Sequence, residues 1–334
     1  MKYDVYGIGN ALVDMEFKVT DDFFAQNNVE KGLMTLVEED RQNELLNKLH
    51  ETHTEELKRQ CGGSAANTVI ALSQFGGSSF YSCKVANDET GEFYLNDLKD
   101  NGVDTKYTKE TAPSGTTGKC MVMVTPDEER TMNTFLGITA TYSEEELDLE
   151  ALKNSKWLYI EGYLVASPSG QEAALSALES ARESNVKVAY TMSDPNMVKF
   201  FKDNVHAILK DKVDLLFCNE IEALEFTGKA TIDEARETLK DFAEHFAITL
   251  GKNGALIWDG HTFIDIEPYH TEAIDSNGAG DMFAGAFLYG ITNGMNYAGA
   301  GSFASLASSK VVSQFGPRLQ WTQAKELLKE TRGE

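Results

Sequence analysis

GQEAALSALESARESNVKVAY, residues 170–190, runs from a stretch of helical character straight into a short apolar segment, "VKVAY" (186–190). The first part spaces its apolar residues for one face of a helix; the second lacks clean polar alternation and reads as a strand buried on both faces. The pairing recurs along the chain. "KWLYIEG" (156–162), "VDLLFCN" (213–219) and "FAITLG" (246–251) are further buried-strand candidates, and "TIDEARETLKDFAEHF" (231–246) reads as another helix. Alternation of this kind predicts a parallel sheet covered by helices, with ligands at the carboxyl ends of the strands.

The first 140 residues read differently. "LVDMEFKV" (12–19), "GLMTLV" (32–37), "TGKCMVMVT" (117–125) and "ERTMNTFLG" (129–137) are strand-like, and "TPDEER" (125–130) has the proline and polarity of a hairpin turn. "EDRQNELLNKLHET" (39–52) and "SAANTVIALSQFG" (64–76) read as helices between them. A small sheet from two separated segments, about 12–37 and 115–137, is therefore expected to project from the main body. With no repeat, low-complexity tract or linker, residues 1–334 read as one domain.

Composition narrows the function. At 334 residues and 42% hydrophobic content the chain can bury a large core. No stretch approaches the ~20 apolar residues of a membrane span, and the N-terminus has no apolar signal region, so a cytoplasmic protein without membrane partners is expected. The net charge of −23 argues against nucleic-acid binding, which needs a field of the opposite sign. Any anionic ligand then needs a metal ion, a helix N-terminus or local Arg and Lys. Cys61, Cys83, Cys120 and Cys218 are too scattered for a zinc site or a disulfide framework. The six histidines, His50, His53, His206, His245, His261 and His270, show no ligand spacing and read as structural or exposed.

Four places carry chemistry. In "AIDSNGAGDMFAGAF" (273–287), Gly278, Ala279 and Gly280 precede a helix, where backbone N–H groups and the helix dipole favour an anion. Asp281 follows in the first turn, suited to take a proton from an attacking hydroxyl in phosphoryl transfer. Alone, the run reads equally as a tight turn with Asp281 stabilising a helix start. In "CGGSAANTVIALSQFGG" (61–77), Gly62, Gly63 and Asn67 combine close backbone approach with an amide, which suits a hydroxyl-rich ligand or marks a simple turn.

"GIGNALVD" (7–14) lacks the third glycine of a dinucleotide fingerprint, because Leu12 stands there and a strand follows. Asn10 and Asp14 remain, the latter either a clamp for a diol or a solvated carboxylate. In "FCNEIEALEFTG" (217–228), Asn219 and Glu222, with Glu220 between them, offer oxygens for Mg²⁺ at a strand end or form an N-cap. "TLGKNGA" (249–255) gives Thr249, Gly251 and Gly254 either a nucleotide-side role or a hairpin turn. Arg130 and Lys119 are candidate phosphate partners on the projecting sheet, or solvated charges of the lid.

Together, "GGSAAN" (62–67), "NEIE" (219–222) and "DSNGAGDMFAGAF" (275–287) resemble, in order, motifs of the ribokinase-like or PfkB family of carbohydrate and nucleoside kinases. The likeness spans essentially the whole chain. It implies a three-layer α/β/α domain with a central, mostly parallel sheet and a small β-sheet lid. It implies ATP as phosphoryl donor, Asp281 as base, and Gly278, Ala279 and Gly280 as anion hole. Asn219 and Glu222 would position Mg²⁺, while Asp14, Gly63 and Asn67 would hold acceptor hydroxyls. Asp275 falls where the family often binds a monovalent cation, usually K⁺, and Ser276 replaces the usual Thr.

Within that family "GNALVD" (9–14), "SNGAGD" (276–281, with Asn277), "RTMNTFLG" (130–137), "EGYLVASP" (161–168) and "FGPRL" (315–319) are similar to the bacterial adenosine kinase branch. That likeness implies that Arg130 faces phosphate and that 161–168 line a nucleoside pocket. Phe135 and Tyr163 either cover a purine or belong to the core. The expected reaction is phosphoryl transfer to the 5′-hydroxyl of adenosine or a related purine nucleoside; the rival is a sugar kinase acting on ribose, fructose or a sugar acid. Monomer and homodimer both stay open.

Overall fold

The structure, a computed structural model, describes residues 1–332 except 53, 55 and 128. His53, and Glu128 of the "TPDEER" turn, lie outside the described residues. In chain order the strands are β1 (Tyr3–Ile8), β2 (Leu12–Lys18), β3 (Met34–Leu36), β4 (Glu56–Gly62), β5 (Ser79–Ser82), β6 (Val103–Thr105) and β7 (Thr117–Val124). They continue as β8 (Arg130–Gly137), β9 (Ser155–Glu161), β10 (Lys187–Thr191), β11 (Val213–Asn219), β12 (Ala243–Thr249), β13 (Ala255–Trp258) and β14 (Phe263–Ile266).

Nine strands form the main sheet, in the order β14-β13-β12-β11-β10-β9-β1-β5-β6. It is parallel from β12 to β6, and β13 and β14 close one edge antiparallel. Leu215, Leu216, Ala247 and Ile248 are fully buried, as doubly covered strands require. Helices Ser64–Gln74, Ala279–Thr292 and Tyr297–Val312 cover one face; Pro168–Glu183, Glu220–Thr227 and Ile232–Leu239 cover the other. The helix-covered parallel sheet expected from the alternating pattern is observed, and with it the three layers that the resemblance implies.

The strand order reverses at β1. The chain leaves β1 outward through β5 and β6, then returns to β9 on the other side, so the ends of β1 and β9 border a topological switch point. Ile8 and Ile160 are paired there, which sets Asn10 and Glu161 side by side at the carboxyl edge.

The second sheet has five strands in the order β3-β8-β7-β2-β4. It draws on 56–62 as well as on the two segments expected from sequence, because β4 pairs antiparallel with β2 along its length. One face, with Val13, Met15, Phe17, Met121 and Met123, is buried with Leu45 and Leu49 of helix Glu39–Glu51. The other face looks toward the carboxyl edge of the main sheet.

One local reading needs correction. The helix expected over 231–246 stops at Leu239, since Ala243 pairs with Val213 and the segment from Ala243 joins the sheet. Tertiary pairing there outweighs local helical preference. Gly285, in the small-residue stretch after Asp281, packs on helix Ser64–Gln74, where a Cβ would press on the Thr68 carbonyl and the Ala71 methyl.

Candidate active site

Between the carboxyl edge of the main sheet and the facing side of the small sheet lies a cavity of about 580 Å³. Strand alternation turns Leu12 and Asp14 of β2, Cys120 and Val122 of β7, and Met132, Thr134 and Leu136 of β8 toward it. The same alternation sends Phe135 and its register partner Lys119 to the opposite face, so neither reaches the cavity. Tyr163, in the 3₁₀ turn Gly162–Ala166, does line it.

The helix start that the glycines suggested is present at Ala279, at the anion-hole candidate. Gly278 caps helix Ala279–Thr292 with φ 74°, a left-handed conformation that favours glycine, and a Cβ there would collide with Pro317. Gly280 is different: a Cβ would meet open space within 4 Å, which leaves the backbone at the helix start free to approach a ligand. Gly278, Ala279, Gly280, Asn277 and Asp281 all line the cavity.

Asp281 accepts from Ser64 Oγ at 2.6 Å through Oδ1 and from Asn67 Nδ2 at 3.0 Å through Oδ2. Burial pushes its carboxyl up to about 6, and the two hydrogen bonds hold it from rising further. A group poised there accepts a proton near neutrality, as a general base must. Ser64 was not singled out from sequence, although it directly follows Gly63.

Gly63, at φ 101°, brings helix Ser64–Gln74 so close to the Asn10 carbonyl that no side chain fits. Gly62 does not line the cavity; its bare Cα lets the Asp14 carboxylate lie against the backbone. Burial lifts Asp14 up to about 7, offset by the charges of Arg318 and Arg130. Glu161, another residue the sequence reading did not single out, is 1% exposed and lines the cavity. Its Oε2 accepts from the N–H groups of Asn10 at 3.1 Å and Ala65 at 3.3 Å. Even so, burial raises it to about 8.

Asn219 and Glu222 form a reciprocal capping box: Asn219 N and Nδ2 donate to the Glu222 carboxylate at 2.8 and 2.9 Å, and Glu222 N donates back to Asn219 Oδ1 at 2.8 Å. The N-cap reading of that motif is thus the one observed, and Asn219 and Glu222 also line the cavity, with Asp194. Burial pushes Glu222 up to about 7. A buried carboxylate beside amide and carboxylate oxygens is a hard donor set that suits Mg²⁺ through its water shell. Thr249 lines the cavity, whereas Gly251 and Gly254 belong to the turn between β12 and β13; Gly254 admits the Ile266 carbonyl.

Arg130 does not line the cavity. Its Nη2 lies 2.9 Å from Asp275 Oδ2 and 3.6 Å from Glu16 Oε2, pairing at 2.9 Å without the alignment of a hydrogen bond. Asp275, only 7% exposed, also accepts from Asn277 N at 3.0 Å and Gly316 N at 2.8 Å. The guanidinium thus supplies the positive charge expected there from a monovalent cation, and the residues as arranged do not fit K⁺ on that carboxylate.

A family model for pfkB family carbohydrate kinases matches residues 33–324. A probable sugar kinase from Rhizobium etli superposes with a TM-score of 0.86 at 31% identity, covering 99% of each chain. The adenosine kinase from Sinorhizobium meliloti superposes with a TM-score of 0.85 at 32% identity, covering 98% of this chain and 99% of its own. A 5-dehydro-2-deoxygluconokinase of Clostridium beijerinckii is 29% identical over 277 residues, 77% of this chain and 79% of the relative.

Proposed function

The chain belongs to the pfkB family of carbohydrate kinases, and from that membership we propose that it transfers the γ-phosphoryl group of ATP to the 5′-hydroxyl of adenosine or a close purine nucleoside. The observation that carries the acceptor is the small-sheet face beside Asp14. Leu12, Met34, Leu36, Val122, Met132 and Leu136 line the cavity there and make an apolar slot adjoining the diol clamp, which a purine needs and a free sugar does not. The likeness to the Sinorhizobium adenosine kinase supports the same acceptor.

The Clostridium relative is named for a sugar acid, and the same cavity speaks against that substrate class here. Among the described lining residues there is no Lys, Arg or His, while Asp14, Glu161, Asp194, Glu222 and Asp281 are all acids. An acceptor carboxylate in that setting would find no lining cation to pair with directly.

Asp281 takes the proton of the 5′-hydroxyl as the oxygen forms its bond to the γ-phosphorus and the bond from that phosphorus to the β-side bridging oxygen breaks, releasing ADP. Backbone N–H groups at the start of helix Ala279–Thr292 stabilise charge on the transferring phosphoryl oxygens. Asn219, Glu222 and Asp194 would hold Mg²⁺, which when bound offsets charge on the phosphates of ATP. Asp14, Gly63 and Asn67 orient the ribose, and the small sheet, acting as a lid, excludes water that would otherwise accept the phosphoryl group.

The test is ADP release from Mg-ATP with adenosine, inosine, ribose and fructose compared as acceptors. Preference for adenosine that disappears in Asp281→Asn supports both acceptor and base. Turnover with a free sugar alone would overturn the acceptor and leave the kinase.

A further inference from the structure

The segment "FGPRL" (315–319), after helix Tyr297–Val312, touches the site at three successive residues. Gly316 N donates to Asp275, Pro317 packs on Gly278, and Arg318 reaches under helix Ser64–Gln74. Arg318 is 8% exposed. Its Nε donates to Asn67 Oδ1 at 2.9 Å, its Nη1 to Asp97 Oδ2 at 2.8 Å, and its Nη2 to the Cys61 carbonyl.

Asn67 stands between Arg318 and Asp281, with Nδ2 on the carboxylate at 3.0 Å. A guanidinium only donates and an ionised carboxylate only accepts, so the amide between them has one favourable orientation. Turned over, it would set its NH₂ against the guanidinium and its oxygen against the carboxylate. Without Arg318 the Asp281 carboxylate alone would select the donating face of Asn67, and the amide oxygen on the other side would lose the donor that holds it in place.

We infer that Arg318 is a positioning residue for phosphoryl transfer: by fixing the Asn67 amide it keeps the Asp281 carboxylate ionised and aimed at the acceptor hydroxyl. This rests on the reading of Asp281 as base. The groups around Asp281 sharpen the need. Asp14 from β2 and Glu161 from β9 repel its charge when ionised; Arg318 is a cation that acts on it favourably, through Asn67 and through space. Asp97 and the Cys61 carbonyl hold the guanidinium in turn, so a buried charge is paired rather than stranded.

The experiment compares pH profiles of kcat/KM for the acceptor in the parent enzyme, Arg318→Ala and Asn67→Leu, with thermal midpoints recorded alongside. The acid limb of this profile reports the base in the free enzyme. In Arg318→Ala it should move up by about one unit, as expected on losing a nearby cation and loosening the Asn67 hydrogen bond to the carboxylate. At about pH 7, kcat/KM should fall about tenfold or more from loss of orientation as well. Added ethylguanidinium should restore both.

A fall in kcat/KM with the acid limb unmoved would overturn the proposal, as would no rescue in a variant that melts like the parent. If Arg318→Ala does not fold, Asn67→Leu breaks the same link from the other side and must move the limb upward; an unmoved limb there overturns the proposal equally. A parent enzyme without turnover overturns the reading of Asp281 and this inference together. A parent whose turnover is lost in Asp281→Asn, but whose limb ignores Arg318, overturns this inference alone.

Discussion

Arg130 on β8 and Asp275 in the loop before the anion hole stand 2.9 Å apart, so the small sheet is tied by charge to the loop expected to carry phosphate. The pair neutralises a carboxylate that would otherwise repel the phosphates of ATP. Exchanging potassium for choline chloride at constant ionic strength should therefore change turnover less than about twofold, within the range of a general salt effect. In Arg130→Met the carboxylate loses its partner, and turnover should fall about tenfold or more and become dependent on K⁺. ADP release across a cation series checks both.

Asp281 titrates near 6 because burial opposes its charge while Ser64 and Asn67 support it. As the base it acts only when ionised, so kcat/KM should rise through about pH 6 and be lost below it. Asp281→Asn should lower turnover about a thousandfold without moving the thermal midpoint downward. A retained acid limb in residual Asn-variant activity would assign that limb to another group.

The buried carboxylates make stability depend on pH in the direction opposite to an ordinary paired acid. Glu161 is held near 8 in the folded protein, above its unfolded value of about 4. Below about pH 4 both states are protonated and the group costs nothing; as pH rises through the folded value the unfolded chain gains by ionising and stability is lost. Glu161→Gln should therefore melt higher than the parent, with the gap widening from about pH 5 to about pH 8. Differential scanning calorimetry across that range is the check, and a gap that narrows with pH contradicts the assignment.

Two glycines two residues apart should fail in different ways. Gly278→Ala forces a side chain into a left-handed conformation against Pro317 and should cost about 1–3 kcal/mol of stability. Gly280→Ala meets open space and should leave denaturant midpoints nearly unchanged. Its methyl group enters the helix start where phosphate is expected, so KM for ATP should rise or kcat should fall. Urea unfolding and steady-state kinetics on the pair separate the roles.

Legibility in the sequence followed the range of the interactions. The parallel strands stood out because burial on both faces leaves an unbroken apolar run, as in "VDLLFCN", and the loop around Gly278 stood out because its constraints are local. Strand β4, "ELKRQCG", carries charge along a sheet edge and shows no alternation to find. The choice for Phe135 stays open in the sequence because a facing side can be assigned only once the register of β8 is known. Glu161 and Arg318 gave no local signal at all. Glu161 meets Asn10 across 151 residues of chain and Arg318 meets Asn67 across 251, separations at which a single sequence carries no mark of the partner.

The strap at Gly316–Arg318 also orders events in the life of the molecule. Asn67 is synthesised early and the residue that orients it arrives 251 positions later. A nascent chain that has already folded its sheet and presented Asp281 still lacks the guanidinium that completes the hydrogen-bonded base. A product truncated before Arg318 would lose that guanidinium together with Leu319, Ala324 and Leu327, which belong to the core, so the same stretch of chain serves both the base and that packing.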